Sequence, residues 1–328
     1  IDRDLYESDK YDSTEEKREE KIQEYRENMS QIIEKLKSAD IDVILVTPSI
    51  YDNTRIGSAS NYSNRGLMKC SEIVKELASE KDCKVISLNE EMAFINRAVQ
   101  AENPYDTLID AYMDNVHPGE FGHNVMGYLM LRQMGADSNE VVLSSKNNIN
   151  STVSNEKVYN NYVSYDYSVK SLPMAETAGY KRADVYAGLT KDLNNHIIRE
   201  DLPQGTYDIK IDGISLGEYS DKELRDGVNA ALNSAYPAQA AAQEAQNINI
   251  DRSKYEVKLQ NAVRYKVFHK YVNESTYKKI NENKDEYLSL INKRIDEMYS
   301  RVMEETSAIH HLEITLCAGN EELLLPNM

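Results

Sequence analysis

Tryptophan is absent from these 328 residues and phenylalanine occurs three times, so the aromatic load falls on 23 tyrosines. A tyrosine hydroxyl needs a partner or water wherever it is buried. Cysteine is nearly as scarce: Cys70, Cys83 and Cys317 are an odd number without metal-ligand spacing, which argues against a disulfide framework and a zinc site. Long hydrophobic runs are missing too. The longest, such as Val43-Ile44-Leu45-Val46, fall far below the ~18 residues of a membrane span, so no transmembrane segment is expected. Positive charge is in deficit, with 38 Lys and Arg against 55 Asp and Glu for a net −17. No Lys/Arg-dense stripe stands out to reverse it, so nucleic acid is not an expected partner. An initiator Met is missing as well. Ile1-Asp2-Arg3-Asp4 reads neither as a signal peptide nor as a translation start, so the N-terminus is expected to be incomplete, with secreted and cytoplasmic locations both open.

What is present, 41% hydrophobic and 28% charged residues, suits a soluble globular chain. At roughly 100–200 residues per domain the length implies two or three domains. Residues 14–39 have the periodicity of an amphipathic helix, with Ile22, Tyr25, Met29, Ile32 and Leu36 on one face and Ser13-x-x-Glu16 as a capping box. The apolar run 41–46, stopped by Thr47-Pro48, reads as a covered parallel strand. A polar loop is expected over 50–64, a helix over 65–81, a strand over 83–88 and further helices through Met92, Ile95 and Val99 and over 119–134. Helix and strand in alternation imply βαβ units with helices on both faces of a parallel sheet. From 139 the pattern shifts to period two, at 163–169 and 205–211, with Asp212-Gly213 as a hairpin turn. Residues 220–308 then read as helical, opened by Ser220-x-x-Glu223 and interrupted at Tyr236-Pro237 and 247–251, and 309–317 as one more strand. The expected organisation is an α/β unit over 1–138, a small β-rich module over 139–219, a helical region over 220–308 and a tail over 309–328.

The most informative stretch for chemistry is Asp114-Asn115-Val116-His117-Pro118-Gly119-Glu120-Phe121-Gly122-His123. A hydrolase with a hydroxyl nucleophile needs an imidazole to take the proton and a carboxylate to orient it. Asp114 and His117 lie three apart in a loop stiffened by Pro118, so one turn could present both. Spacing alone leaves other readings open: a solvated loop histidine, or a metal site of Asp114, His117 and His123, although His117 and His123 would not share a helical face. His310-His311 read as surface residues rather than a paired metal site, and the Glu-rich run at 15–20 as a solvated helix start. No cofactor is expected.

Asp114-x-x-His117-Pro118 followed by Gly122-His123 and a helix resembles the last conserved block of the SGNH (GDSL-type) serine hydrolases. The run from Val43 through Thr47-Pro48 to Asp52-Asn53, followed by a helix near Gly66-Leu67, resembles that family as well. So do Ser171-Leu172-Pro173, the stretch Leu202-Pro203-Gln204-Gly205-Thr206 through Asp212-Gly213, and Gly227-Val228-Asn229 beyond it, which look like the accessory region of a multidomain subgroup. The resemblance covers about two thirds of the chain and implies a flavodoxin-like three-layer fold around a parallel sheet. It also implies a Ser-His-Asp mechanism with His117 as general base and Asp114 as its orienting carboxylate. The substrate would be a small-molecule ester or an acylated carbohydrate, with Tyr51 or Asn61 beside the acyl or leaving group. The family's Gly-Asp-Ser and Gly-x-Asn-Asp blocks, which supply the nucleophile and oxyanion donors, occur nowhere in the 328 residues. They are expected upstream of Ile1, and the chain by itself is expected to be inactive. The alternative is a non-catalytic binding protein or pseudoenzyme on a degenerate SGNH domain. Oligomeric state is not legible.

Overall fold

The computed structural model describes residues 14–52, 61–109, 115–136, 140–269 and 272–317. The chain is mixed α/β with a helical C-terminal region. It divides into two compact units, Ile1–Asp137 with Thr177–Thr190, and Ser138–Glu176 with Lys191–Met328.

In the first unit, α1 (Glu15–Ser38) is capped by the Thr14 side chain, which accepts from the Lys17 N–H. Ser13, the expected cap, lies outside the described residues. β1 (Ile44–Val46) pairs in parallel with β2 (Lys84–Ile86), in the register Ile44 to Lys84 and Val46 to Ile86. α2 (Asn61–Glu80) fills the crossover between them and starts four residues earlier than its sequence suggests. Ile33 of α1, Leu45 of β1 and Val74, Leu77 and Ala78 of α2 form one buried cluster. Arg26 binds Glu76 and Glu80 across the α1–α2 contact, each at 2.5 Å. Burial pushes the Cys70 thiol up to about 11, which leaves it a packing residue rather than a nucleophile. Among the described residues the parallel sheet of this unit has two strands.

α3 (Asn89–Glu102), α4 (Glu120–Gln133) and α5 (Tyr180–Ala187) complete this unit. Residues 177–190 depart from the sequential division expected at 139. The Tyr186 hydroxyl donates to Glu102 at 2.7 Å, the Phe121 and Tyr186 rings lie 5.9 Å apart, and the Arg182 guanidinium sits 4.3 Å over Phe121. These side chains tie α5 to α3 and α4. The short α6 (Leu189–Leu193) follows.

In the second unit, β3 (Val141–Leu143) pairs in parallel with β6 (His196–Ile198), which is also antiparallel to β9 (Val228–Asn229). A second sheet is antiparallel throughout, ordered β4 (Ser151–Tyr159), β5 (Tyr162–Val169), β10 (His310–Leu316), β7 (Thr206–Ile211), β8 (Ile214–Ser220). The strand expected at 309–317 thus lies at the centre of the sheet, flanked by strands far away in sequence. Asp212 and Gly213 both have positive φ, 51° and 80°, which the two-residue turn between β7 and β8 requires. The Ser220–Glu223 capping box opens α7 (Asp221–Asp226) as expected.

Pro237 is the first residue of α8 (Pro237–Phe268), which runs straight through 247–251. The break expected there does not form: asparagine costs a helix only tenths of a kcal/mol, and Asp251 is held by Arg294 of α10 (Lys284–Ser307) at 2.8 Å. α9 (Glu274–Glu282) lies between α8 and α10 in sequence. The core of this unit is rich in tyrosine: Tyr165, Tyr167, Tyr207 and Tyr236 are all buried. Tyr207 donates to the Pro203 carbonyl at 2.9 Å, and the Tyr236 hydroxyl lies 3.0 Å from Nδ1 of His196. The hydroxyls of Tyr165 and Tyr167 have no partner among the described residues.

Candidate active site

The chain leaving β1 is fixed by the N-terminus of α3. The Thr47 N–H donates to the Ile86 carbonyl at 2.9 Å, and its buried hydroxyl oxygen accepts from the N–H groups of Leu88 at 2.8 Å and Asn89 at 3.1 Å. These two donors would otherwise be orphans of the helix end. The Asn89 amide then donates to the Ser49 carbonyl at 3.1 Å. Ile50, Tyr51 and Asp52 follow and are buried. The Asn64 side chain of α2 brackets the Tyr51 backbone, donating to its carbonyl at 2.8 Å and accepting from its N–H at 2.9 Å. A segment that reads as loop is therefore held by hydrogen bonds to α2 and α3.

The histidine loop meets this segment through Asn115. The Asp52 N–H donates to the Asn115 carbonyl at 2.9 Å, and the Asn115 side-chain amide donates to the Asp52 carbonyl at 2.6 Å. His117 is two residues further on and exposed, ahead of Pro118 and the first turn of α4. Gly122 lets α4 approach closely: a Cβ there would collide with the Leu108 carbonyl oxygen and stand 2.8 Å from the Pro118 Cβ. Leu108 is itself anchored, because its N–H donates to the buried Asn96 side chain at 2.9 Å. His117 is thus presented beyond the carboxyl end of β1, the side of a parallel sheet where ligand sites form.

Of the residues singled out from sequence, His117 is presented in this way and Asp114 lies outside the described residues. Tyr51 is buried, and the side chain of Asn61 also lies outside the described residues. His123 is exposed on α4, with its N–H bonded to the Gly119 carbonyl at 2.8 Å. Among the described residues no group of three or more His, Cys, Asp or Glu is placed to hold a metal ion. His310 and His311 are not plain surface residues. His310 lies between Asp212 and Glu305, and His311 Nδ1 is 2.7 Å from Asp166. Sequence reasoning passed over Asp52 and Asn115 as binding partners, since nothing local in either segment signals a bond across 63 positions.

The fold these elements define is an α/β unit of parallel strands and covering helices joined to a unit built on antiparallel strands and long helices. A solved structure shares it: a gut microbial diltiazem-metabolizing enzyme aligns with a TM-score of 0.75 at 19% identity, over 92% of this chain and 79% of that chain. An acetyl xylan esterase aligns at a TM-score of 0.29 and 22% identity, over 34% of this chain and 54% of its own, below the level that implies a common fold. No family model and no curated protein matches the sequence.

Proposed function

We propose that this chain carries the base-bearing part of an SGNH-type ester hydrolase, built on a flavodoxin-like three-layer domain. The observation behind this reading is the two-bond clasp between Asp52 and Asn115, which holds the His117 loop at the carboxyl end of β1. The Asp-x-x-His-Pro motif and the shared fold of the diltiazem-metabolizing enzyme support it. Acylated carbohydrate is the substrate class proposed for this chain.

In the proposed mechanism a serine hydroxyl attacks the ester carbonyl while His117 takes its proton. His117 returns that proton to the departing alkoxide. It then takes one from water, whose oxygen attacks the acyl carbon, and passes that proton to the serine oxygen as the acid leaves. Asp114 orients the imidazole and stabilises its charged form. The serine would come from a Gly-Asp-Ser block, which these 328 residues do not contain, so the chain alone is inactive in this reading. The same lack favours the second reading, a pseudoenzyme or binding protein.

The test is hydrolysis of a chromogenic acetyl ester and of diltiazem by the gene's full product, by the 328-residue chain and by the His117→Ala variant of the full product. The full product turns over, and the variant loses at least about a thousandfold in rate. Equal rates for the two would remove His117 from the mechanism. Turnover by the 328 residues alone would overturn the external serine, and an inactive full product would favour the second reading.

A further inference from the structure

α3 holds both segments of the site from one face. Asn89 and Asn96 lie seven positions apart on it, close to two full turns, so their side chains project from the same side. Both are buried. Asn89 donates to the Ser49 carbonyl at 3.1 Å and so fixes the chain leaving β1. Asn96 fixes the other segment, where a single oxygen holds three consecutive residues. Its Oδ1 accepts from the Leu108 N–H at 2.9 Å and from the Thr107 hydroxyl at 3.2 Å, while the Thr107 oxygen accepts from the Ile109 N–H at 3.2 Å. A backbone N–H can only donate, so Leu108 dictates which way the Asn96 amide is turned.

Thr107, Leu108 and Ile109 are buried and belong to neither helix nor strand. With no ladder to join and no access to water, the Leu108 N–H depends on this one side chain. α4 rests on the segment so held. A Cβ at Gly122 would collide with the Leu108 carbonyl oxygen and stand 2.8 Å from the Pro118 Cβ, so Leu108, Gly122 and Pro118 meet at one point. Pro118 follows His117 directly. The start of α4 has no side-chain cap of its own, because its N-cap is Gly119. Its placement therefore leans on the contact with Leu108, and a packed contact without slack passes a shift of Leu108 on to Pro118.

We propose that Asn96 is a positioning residue for His117, acting through Leu108 and the first turn of α4. The proposal rests on His117 as the base of the hydrolase reading. Asn115 fixes the loop before the histidine, and Asn96 fixes the helix after it. With both ends held, the imidazole keeps within the ~0.5 Å that a catalytic group tolerates. In this role Asn96 exchanges no proton and acts only through the backbone it holds.

The test compares Asn96→Ala, which removes the acceptor, with Asn96→Asp, whose carboxyl oxygen accepts the same two bonds in either protonation state. Hydrogen exchange on the 328-residue chain needs no turnover. There Asn96→Ala speeds exchange over 107–109 and also over 115–122, and Asn96→Asp restores both. Faster exchange confined to 107–109 would overturn the proposal, by leaving Asn96 a local role alone. In the gene's full product, with a chromogenic acetyl ester, Asn96→Ala lowers kcat about tenfold to a hundredfold with KM unchanged, and Asn96→Asp recovers it. An unchanged kcat, or an equal loss in both variants, would overturn the proposal as well. His117→Ala measured alongside separates the two readings. Full activity in that variant strikes the base assignment, whereas its loss together with an unchanged kcat in Asn96→Ala strikes Asn96 alone.

Discussion

Asn115 and Asp52 exchange two hydrogen bonds, Asn115 Nδ2 to the Asp52 carbonyl at 2.6 Å and the Asp52 N–H to the Asn115 carbonyl at 2.9 Å. The pair ties the end of the β1 segment to the loop that bears His117. Asn115→Ala removes the first bond and leaves the second, so the loop is expected to open more often without detaching. The expected cost is about 1 kcal/mol of stability, with faster amide exchange over 115–118 in hydrogen-exchange mass spectrometry. Unchanged protection there would mean that the clasp does not hold the histidine loop.

Two glycines of α4 make opposite predictions. Gly122 faces the Leu108 carbonyl with no room for a methyl group, whereas a Cβ at Gly127 meets nothing within 4 Å. Gly122→Ala should destabilise by about 1–3 kcal/mol through forced displacement of backbone. Gly127→Ala should stabilise by about 0.5–1 kcal/mol by restricting the unfolded chain and favouring helix. Denaturant melts of both variants distinguish the two signs.

His196 sets an acid limb to stability. It is buried, and burial lowers its pKa from 6.5 to about 4. Between those values the unfolded chain binds more protons than the folded one, so stability falls as pH drops through that window. The loss should approach about 3 kcal/mol when the pH reaches the folded value. His196→Asn should flatten this limb while costing stability at neutral pH through the altered contact with Tyr236. A wild-type profile that is flat from pH 6.5 to about 4 would contradict the buried neutral imidazole.

His310 has the opposite sign. Nδ1 is 2.7 Å from Asp212 and Nε2 is 3.1 Å from Glu305, and only an imidazolium can donate to both. The hydrogen bond to Glu305, aided by Asp212, raises the His310 pKa. Burial pushes Glu305 up, but bonding to His310 and Arg301 brings it below its usual value. The histidine's contribution is complete below the usual imidazole value of ~6.5 and is lost as pH rises through the raised one. Glu305's is complete above 4.5 and is lost as pH falls through its lowered value. His310→Asn should therefore cost most between those limits and least at alkaline pH. Equal destabilisation at all pH values would mean that the ring is neutral in the folded chain.

Local signals were legible because local chemistry decides them. Asp212-Gly213 makes its turn with both residues at positive φ, Ser220 and Glu223 cap α7, and Pro237 opens α8. Each outcome depends on dihedral preference or on a donor and acceptor three residues apart. The break anticipated at 247–251 failed because its cost is a fraction of a kcal/mol, less than packing along α10 supplies. The proposed site divides in the same way. His117 is proposed from its motif, whereas Asp52 as its loop's anchor is not legible there, since the bond spans 63 positions.

The sequence by itself determined the alternation of helix and strand up to α4, and the hairpin and caps of the second unit. Periodicity and turn chemistry act over a few residues and leave their mark in the order of the letters. Only the tertiary structure decided that β10 sits between β5 and β7, that Thr177–Thr190 packs with the first unit, and that Asn115 holds the His117 loop to Asp52. These outcomes depend on which distant surfaces bury each other's apolar area and satisfy each other's backbone groups, and neither quantity can be read from neighbours along the chain.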